Sequence, residues 1–401
     1  MRSVSQFSDG VYIYDAVRTP KARVRRHGGT LADVPAYDLL AQLFSAVQER
    51  GLSPDVVDDV VIGTSTAVGD QGGNVARAAV LWAGWPDAVN AGVVSRLCCS
   101  GIDAIETASA KIAAGIADVV VTGGVESMSR VPMMSDRPAF AEDADLGERT
   151  GFVTIGVSAD LTAAQYGFTR AELDECAVTS HRRALAAPRS GSIVPVRSDT
   201  GTILTADEGP RDDISLAGLA DLAPLFGRDP LWERVAERLP GAPRPAVGLH
   251  TAATAPQLCD GAAAAVLGTA AAATRIGSEP VAEVVGVAQA AVRSPLLTAS
   301  VVAARRALGN AGISADRLDV VEANESFAAS VLVMMRELKL DPDRVNPNGG
   351  SMATGHPLGA AGGALLVNAL DQLRRVDGEY ALITIPAALG LGGAAVVRRL
   401  G

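Results

Sequence analysis

The chain has 401 residues, 48% of them hydrophobic, 20% charged and 4% aromatic, and a formal net charge of -10. That length suggests two or three units around a large Ala/Val/Leu core, and the acidity with so few rings excludes a base-stacking nucleic-acid groove. Four cysteines without a CxxC pair speak against a disulfide framework and a metal site, no run reaches the length of a membrane span, and MRSVSQFSDG lacks the regions of a signal peptide, so a soluble cytoplasmic protein is expected.

In chain order, short apolar strands are predicted at 59–63 (DVVIG) and 90–94, then a turn, VSRLCCSG, at 94–101. A helix follows over 102–116, and a strand over 117–122 that ends in Gly123-Gly124. From about 126 to 250 the rhythm breaks: this stretch holds SMSRVPMM, an acidic amphipathic helix over 170–186 and DEGPRDDISLAGLADLAPLF. Within it, Trp232, Val235 and Leu239 have helical spacing ahead of a Pro-rich run, which predicts a short amphipathic helix and a linker at 227–247. The pattern then resumes with a strand at 318–323 (LDVVEA) and a helix over 326–338. A glycine-dense turn at 345–363 (VNPNGGSMATGHPLGAAGG), a helix over 360–373 and a strand over 380–385 complete it. Strand, helix, glycine turn, helix and strand thus recur in one order, which points to an internal duplication of mostly parallel α/β layers.

The two turns carry the chemistry. Cys98 precedes a helix, where the positive end of the helix dipole favours thiolate over thiol. His356 precedes the equivalent helix of the second half, so a pseudo-twofold arrangement would bring the two together. A thiol with an imidazole partner is the equipment of acyl transfer. Cys99 lies one residue on, rotated by about 100° along the helix, and reads as a packing residue. Cys176 and Cys259 read as structural, His27 and His181 as exposed surface residues, and His250 receives no role.

These motifs resemble the thiolase family over nearly the whole chain. The resemblance rests on C-x-S-G at Cys98, on NESFAAS at Asn324 and on GHPLGA at His356. It implies an α/β thiolase fold: two duplicated halves in a five-layered α/β/α/β/α sandwich with an inserted loop domain. The boundaries expected are 1–124 plus 251–276 for the first half, 125–250 for a loop domain covering the active site and coenzyme A, and 277–401 for the second half. By the same resemblance Cys98 is the nucleophile and His356 its proton acceptor. Asn324 holds a water that, with His356, forms one oxyanion hole, and the amides of Cys98 and Ala388 form the other. Acyl-CoA thioesters are then the substrates, no cofactor is permanently bound, and a homodimer or homotetramer is expected.

Several positions depart from the family pattern. Ser95 replaces the usual Asn, and residues 251–256 read TAATAP where the family has TAGNAS, so Pro256 stands at the serine that touches pantetheine. Residues 155–160 read IGVSAD, and 227–247 look like an insertion. Pro386 stands where the family has a second cysteine, the base for the substrate α-carbon; proline has no titratable group. Ala388 stands at a position normally given to glycine, which raises the question of its backbone geometry. The expectation is a thiolase-type acyltransferase, of acetyl-CoA acetyltransferase or 3-ketoacyl-CoA thiolase kind, with condensation and thiolysis impaired. Two other readings stay open: a catalytically reduced homologue acting as acyl-CoA binder or assembly subunit, and a condensing enzyme resembling ketosynthases.

Overall fold

The computed structural model describes residues 5–26, 28–199, 201–293 and 295–401; the expectation for His27 lies outside them. Nine strands build the core: β1 (Tyr12–Arg18), β2 (Asp59–Gly63), β3 (Asn90–Val94), β4 (Val119–Glu126), β5 (Cys259–Gly268), β6 (Ala282–Ala291), β7 (Val320–Ala323), β8 (Tyr380–Ala387) and β9 (Leu391–Arg399). They run in the order β7-β8-β9-β6-β1-β5-β4-β2-β3. In the first half β1 pairs antiparallel with β5 and β5 with β4, whereas β4, β2 and β3 are parallel. The second half repeats this: β6 pairs antiparallel with β9, β9 with β8, and β8 is parallel to β7. Where β3 stands in the first half, Val345 makes a parallel bridge to Val321 in the second. The sheets of the two halves are joined by strand pairing where Tyr12 and Ile13 meet Glu283 and Ala282.

Strand periodicity explains the layering. Successive side chains of a strand point to opposite faces. Val61, Val120 and Leu267 face inward, with Ile383, Ile385 and Val397 of the other half. Val60, Ile62, Val119, Val121 and Val266 face outward. The outward face is covered by helices α1 (Ala36–Glu49) and α2 (Val75–Trp82). Between the halves lie α3 (Ser100–Ala113) and α9 (Ala361–Val376), contributing Ile102, Ile105, Leu366 and Leu370. Leu382 and Val396 face the far side, under α7 (Ala299–Asn310) and α8 (Ala328–Leu338). Because both faces of each sheet are covered, the strands read as continuous apolar runs; each such buried side chain is worth about 1.5–3 kcal/mol.

Between β4 and β5 the chain leaves the sandwich. This region contains α4 (Ile155–Gln165), α5 (Arg170–Ala186), α6 (Trp232–Arg238) and a ribbon of Val196–Ser198 with Gly201–Leu204. A capping box of Thr169 and Glu172 starts α5. The amphipathic spacing around Trp232 does form a helix, α6, with Trp232 and Val235 buried.

Three expectations are corrected here. The layers are not mostly parallel: five of the pairings among the nine strands are antiparallel and three are parallel, because β1, β5, β6 and β9 run against their neighbours. Gly123 and Gly124 do not end a strand; β4 continues through them to Glu126. A Cβ at Gly123 would lie 1.9 Å from the Ala263 carbonyl oxygen, and one at Gly124 2.1 Å from that of Gly359. The glycines therefore mark close backbone packing within the strand. His181 is not exposed: it is 3% accessible, and its Nδ1 accepts the Arg211 backbone N–H at 3.0 Å. Burial pushes its pKa down to about 4. No helix among the described residues is long and apolar enough to cross a membrane.

Candidate active site

Parallel strand β3 delivers the chain into the turn that carries Cys98. Ser100 closes that turn: its Oγ accepts the Arg96 N–H at 2.8 Å and donates to the Leu97 carbonyl at 2.6 Å. Leu97 takes a left-handed conformation, φ 52°. These local bonds start α3 at Ser100, two residues ahead of the sequence expectation. Gly101 then permits contact with the opposite half, because a Cβ there would lie 2.8 Å from the Gly359 carbonyl oxygen. The S-G of the motif is thus a structural pair that seats the cysteine turn.

His356 follows Gly355 (φ 100°), where a Cβ would meet the Cys259 sulfur at 2.7 Å. The His356 N–H donates to the Gln257 carbonyl at 2.9 Å. The buried Lys21 ammonium donates to Thr354 Oγ1 at 3.0 Å and to the Gly355 carbonyl at 3.1 Å, fixing the residues just before the histidine. Glu325 grips the same turn: it accepts from Ser180 Oγ at 2.7 Å, the Met352 N–H at 2.9 Å and Asn346 Nδ2 at 3.1 Å. A carboxylate on the second half is in this way tied to helix α5 of the inserted region.

Asn324 lies behind the ring, at the end of β7. Its Nδ2 sits 3.5 Å from His356 Nε2 and donates to Ser326 Oγ at 2.7 Å, while its Oδ1 accepts from Ser351 Oγ at 2.6 Å. Asn324 does not cap the following helix, because α8 begins at Ala328 after Phe327.

Cys98, Ser326, His356 and Ala388 line one cavity of about 400 Å3. The remainder of its wall is mostly apolar, including Met134, Phe140, Phe152, Phe226, Phe327 and Leu358. Asn324 is absent from that wall and lies behind it. Cys99 points elsewhere, fully buried, with its sulfur 3.3 Å from the Ile385 carbonyl. Pro386 pairs in register with Gly392, and its carbonyl accepts from Ser326 Oγ at 3.2 Å. The residue that adopts the left-handed conformation in the following turn is Leu389 (φ 60°, ψ 23°), not Ala388.

Burial sets the protonation states. The Cys98 thiol is pushed up to about 12 by desolvation first and by the nearby Glu126 second, against the pull of its own N–H and that of Ala388. His356 is lowered to about 3 by desolvation, with the Lys21 charge adding to it. The resting pair is therefore neutral thiol and neutral imidazole. This corrects the thiolate expected at the helix N-terminus: a partial dipole charge is outweighed by loss of water around a buried sulfur.

Glu126 spans the two halves beneath the cavity. It accepts from the backbone N–H of Ser65 (2.9 Å), Thr66 (3.2 Å) and Gly359 (2.8 Å), and from Gln71 Nε2 at 2.6 Å. The cysteine half and the histidine turn thus share one saturated carboxylate. Sequence reasoning passed over Glu126, Lys21 and Ser326. Their signal was placement beside motifs, in GGVESMS, RTPK and NESF, without a spacing of their own.

A family model described as thiolase, N-terminal domain, matches residues 11–230, and one described as thiolase, C-terminal domain, matches 278–399. The chain belongs to the thiolase family. It is 35% identical to the steroid 3-ketoacyl-CoA thiolase of Mycobacterium tuberculosis over 97% of this chain and 94% of that protein. It is 38% identical to the β-ketoadipyl-CoA thiolase of Pseudomonas aeruginosa, over 97% and 99%. Among solved structures it resembles the Bacillus anthracis acetyl-CoA acetyltransferase, with a TM-score of 0.84 at 33% identity, covering 99% of this chain and 100% of that one. This thiolase is an acyl-CoA acyltransferase of the family's type.

One further pair was missed altogether. His250 and Asp160 are fully buried partners, with Nδ1 2.8 Å from Asp160 Oδ1, which also accepts the His250 N–H at 2.8 Å. The ring packs edge-on to Phe327 at 5.3 Å. His250, given no role from sequence, therefore holds a cavity-wall residue.

Proposed function

We propose that the Cys98 thiol attacks the carbonyl carbon of an acyl-CoA thioester while its proton passes to His356 Nε2. Collapse of the tetrahedral intermediate expels coenzyme A thiolate, which takes that proton back from His356, and leaves a thioester on Cys98. One observation carries this reading: a cysteine, a neutral histidine and the Ala388 N–H meet on one largely apolar cavity. A neutral imidazole is the form that accepts a proton, and the Cys98 and Ala388 N–H groups offer an oxyanion hole. Asn324, through a water shared with His356, supplies the second. Coenzyme A thus acts as substrate, not as a resident cofactor.

Carbon–carbon chemistry is slow in this protein. Pro386 offers no proton acceptor, and the Ser326 hydroxyl beside it is already spent as a donor to the Pro386 carbonyl. General-base assistance contributes about 10²–10⁴-fold, so thiolysis lags acylation by a comparable factor. The same observation favours a second reading, an acyl-CoA binder without turnover. Intact-protein mass spectrometry after acetyl-CoA exposure, run beside acetoacetyl-CoA thiolysis, separates them. An acyl adduct with slow thiolysis supports the first reading, and no adduct supports the second. Thiolysis at ordinary enzymatic rates would overturn the uncoupling.

We also propose a homo-oligomer in the cytoplasm. Strand β3 is the open edge of the sheet and is half-buried despite its NAGVV sequence, a surface suited to pairing with a second copy. All four cysteines are free, in keeping with a reducing compartment.

A further inference from the structure

The segment 227–247 is unexplained by the acyl-transfer reading, yet it is built into the back of the cavity wall. Trp232 is 1% accessible; it and Val235 form a small core with Val153, Val157 and Leu161. The last two lie on α4, whose first turn, Ile155 and Gly156, faces the cavity. Polar tethers fix the same wall. Trp232 Nε1 donates to the Phe226 carbonyl at 2.9 Å, Thr154 Oγ1 donates to Asp229 at 2.7 Å, and the Arg234 guanidinium donates to the Phe152 carbonyl. Gly156 completes the fit, since a Cβ there would lie 2.2 Å from the Phe226 ring, which therefore packs directly on the helix. Phe152 and Phe226 are thus both held from behind by this segment and both line the cavity.

The chemistry of that cavity is one-sided. Among the described residues that line it there is no lysine or arginine, and the single carboxylate, Asp136, is solvent-exposed. Apart from that carboxylate, the hydroxyls of Ser65, Thr66, Thr154 and Ser326, and His356, the lining side chains are aromatic, aliphatic or sulfur-bearing. A terminal carboxylate on an acyl chain would be stripped of water there without a cation or a set of N–H donors to meet it, a large penalty. A methylene gains about 0.8 kcal/mol on burial, about fourfold in affinity at room temperature.

We propose that residues 227–247 act as a specificity brace: they hold Phe152 and Phe226 in place as the wall of an acyl chamber. That chamber takes uncharged acyl chains of medium length and rejects ω-carboxylated ones. The proposal deepens the acyl-transfer reading and rests on it for the identity of the ligand, but not for the shape of the chamber.

Binding and chemistry are measured separately. Calorimetric titration of the full-length Cys98→Ala protein with acetyl-CoA, hexanoyl-CoA and adipyl-CoA reads the chamber without turnover. Hexanoyl-CoA is expected to bind at least about tenfold more tightly than either of the others. Adipyl-CoA binding as tightly as hexanoyl-CoA, or acetyl-CoA doing so, overturns the proposal. Intact mass of the wild-type protein with the same thioesters reads the acyl-transfer reading on its own: no adduct with a preserved hexanoyl preference sinks that reading and supports the chamber. The brace is tested with Trp232→Ala and, should that variant fail to fold, Arg234→Leu, each in the Cys98→Ala background and checked by circular dichroism. The hexanoyl-over-acetyl preference is expected to shrink at least threefold, roughly the loss of one methylene's contact. A folded variant with an unchanged preference overturns the role of the brace.

Discussion

Cys98 and Cys99 are neighbours in sequence with opposite surroundings. Cys98 opens onto the cavity, whereas the Cys99 sulfur is packed against the Ile385 carbonyl in the inner core. Cys98→Ala is expected to abolish the acyl adduct, and Cys99→Ala to retain it at a loss of about 1 kcal/mol in stability. Peptide mapping of the acylated protein checks both; an adduct on Cys99 would shift the register of the whole assignment.

The neutral Cys98–His356 pair has a kinetic signature. With the thiol near 12, the thiolate fraction rises about tenfold per pH unit far past neutrality, so iodoacetamide alkylation should show no plateau near pH 9. His356→Ala should slow acylation by roughly 10²–10⁴-fold, as expected for loss of a proton acceptor. It should leave the alkylation profile in place, because an uncharged ring does not hold a thiolate electrostatically. An upward shift of the profile in that variant would show that an imidazolium stabilises the thiolate in the resting protein.

At the scale of elements, the contact between the two halves depends on backbone surfaces without side chains. Gly359 meets Thr64 and Glu126: a Cβ there would lie 2.6 Å from the Thr64 Cα and 2.9 Å from Glu126 Oε2. Gly359→Ala must push the histidine turn away from the cysteine half. We expect a loss of about 1–3 kcal/mol by chemical denaturation and a fall in acylation beyond what stability explains. Equal acylation by the folded variant would mean that the Glu126 bridge does not align the two turns.

The turn after β8 decides how much carbon–carbon chemistry survives. Pro386 occupies a strand position opposite Gly392, and its carbonyl is already engaged by Ser326. Pro386→Cys supplies a thiol without removing a backbone donor, because proline has none. Acetoacetyl-CoA thiolysis is expected to rise by at least about tenfold, part of the general-base contribution. No gain in a variant that still acylates Cys98 would show that the loop fails to aim the new thiol at the α-carbon.

For the whole molecule, a buried carboxyl group couples folding to pH. Glu322 is fully buried, facing Asn368, Lys21, Glu325 and Arg18, and desolvation raises its pKa from 4.5 to about 8. Below pH 4.5 folded and unfolded chains both hold this proton. Between pH 4.5 and 8 the unfolded chain releases it and the folded chain keeps it, so this group's contribution to stability is lost as pH rises, by about 1.4 kcal/mol per unit at most. Glu322→Gln removes that dependence. Its stability relative to wild type should climb from pH 5 to pH 8 and then level off in urea titrations, and a flat difference would place the carboxylate ionised throughout.

Sequence by itself determined the local grammar of this thiolase. The apolar runs that mark strands at 59–63 and 380–385 are local, and every residue needed to read them is adjacent in the chain. The repeated strand–helix order, the helix-opening turns at Cys98 and His356, and helix α6 in the 227–247 segment were legible for the same reason: each depends on residues a few positions apart. Tertiary structure alone decided what those turns are chemically. Glu126 reaches Gly359 across 233 residues and Lys21 reaches Gly355 across 334, and no spacing rule links such pairs. The neutral state of Cys98 and His356, the burial of His181 and the pairing of His250 with Asp160 all follow from which distant surfaces close over them. Desolvation belongs to the packed molecule, and it is the term that outweighs the local helix dipole.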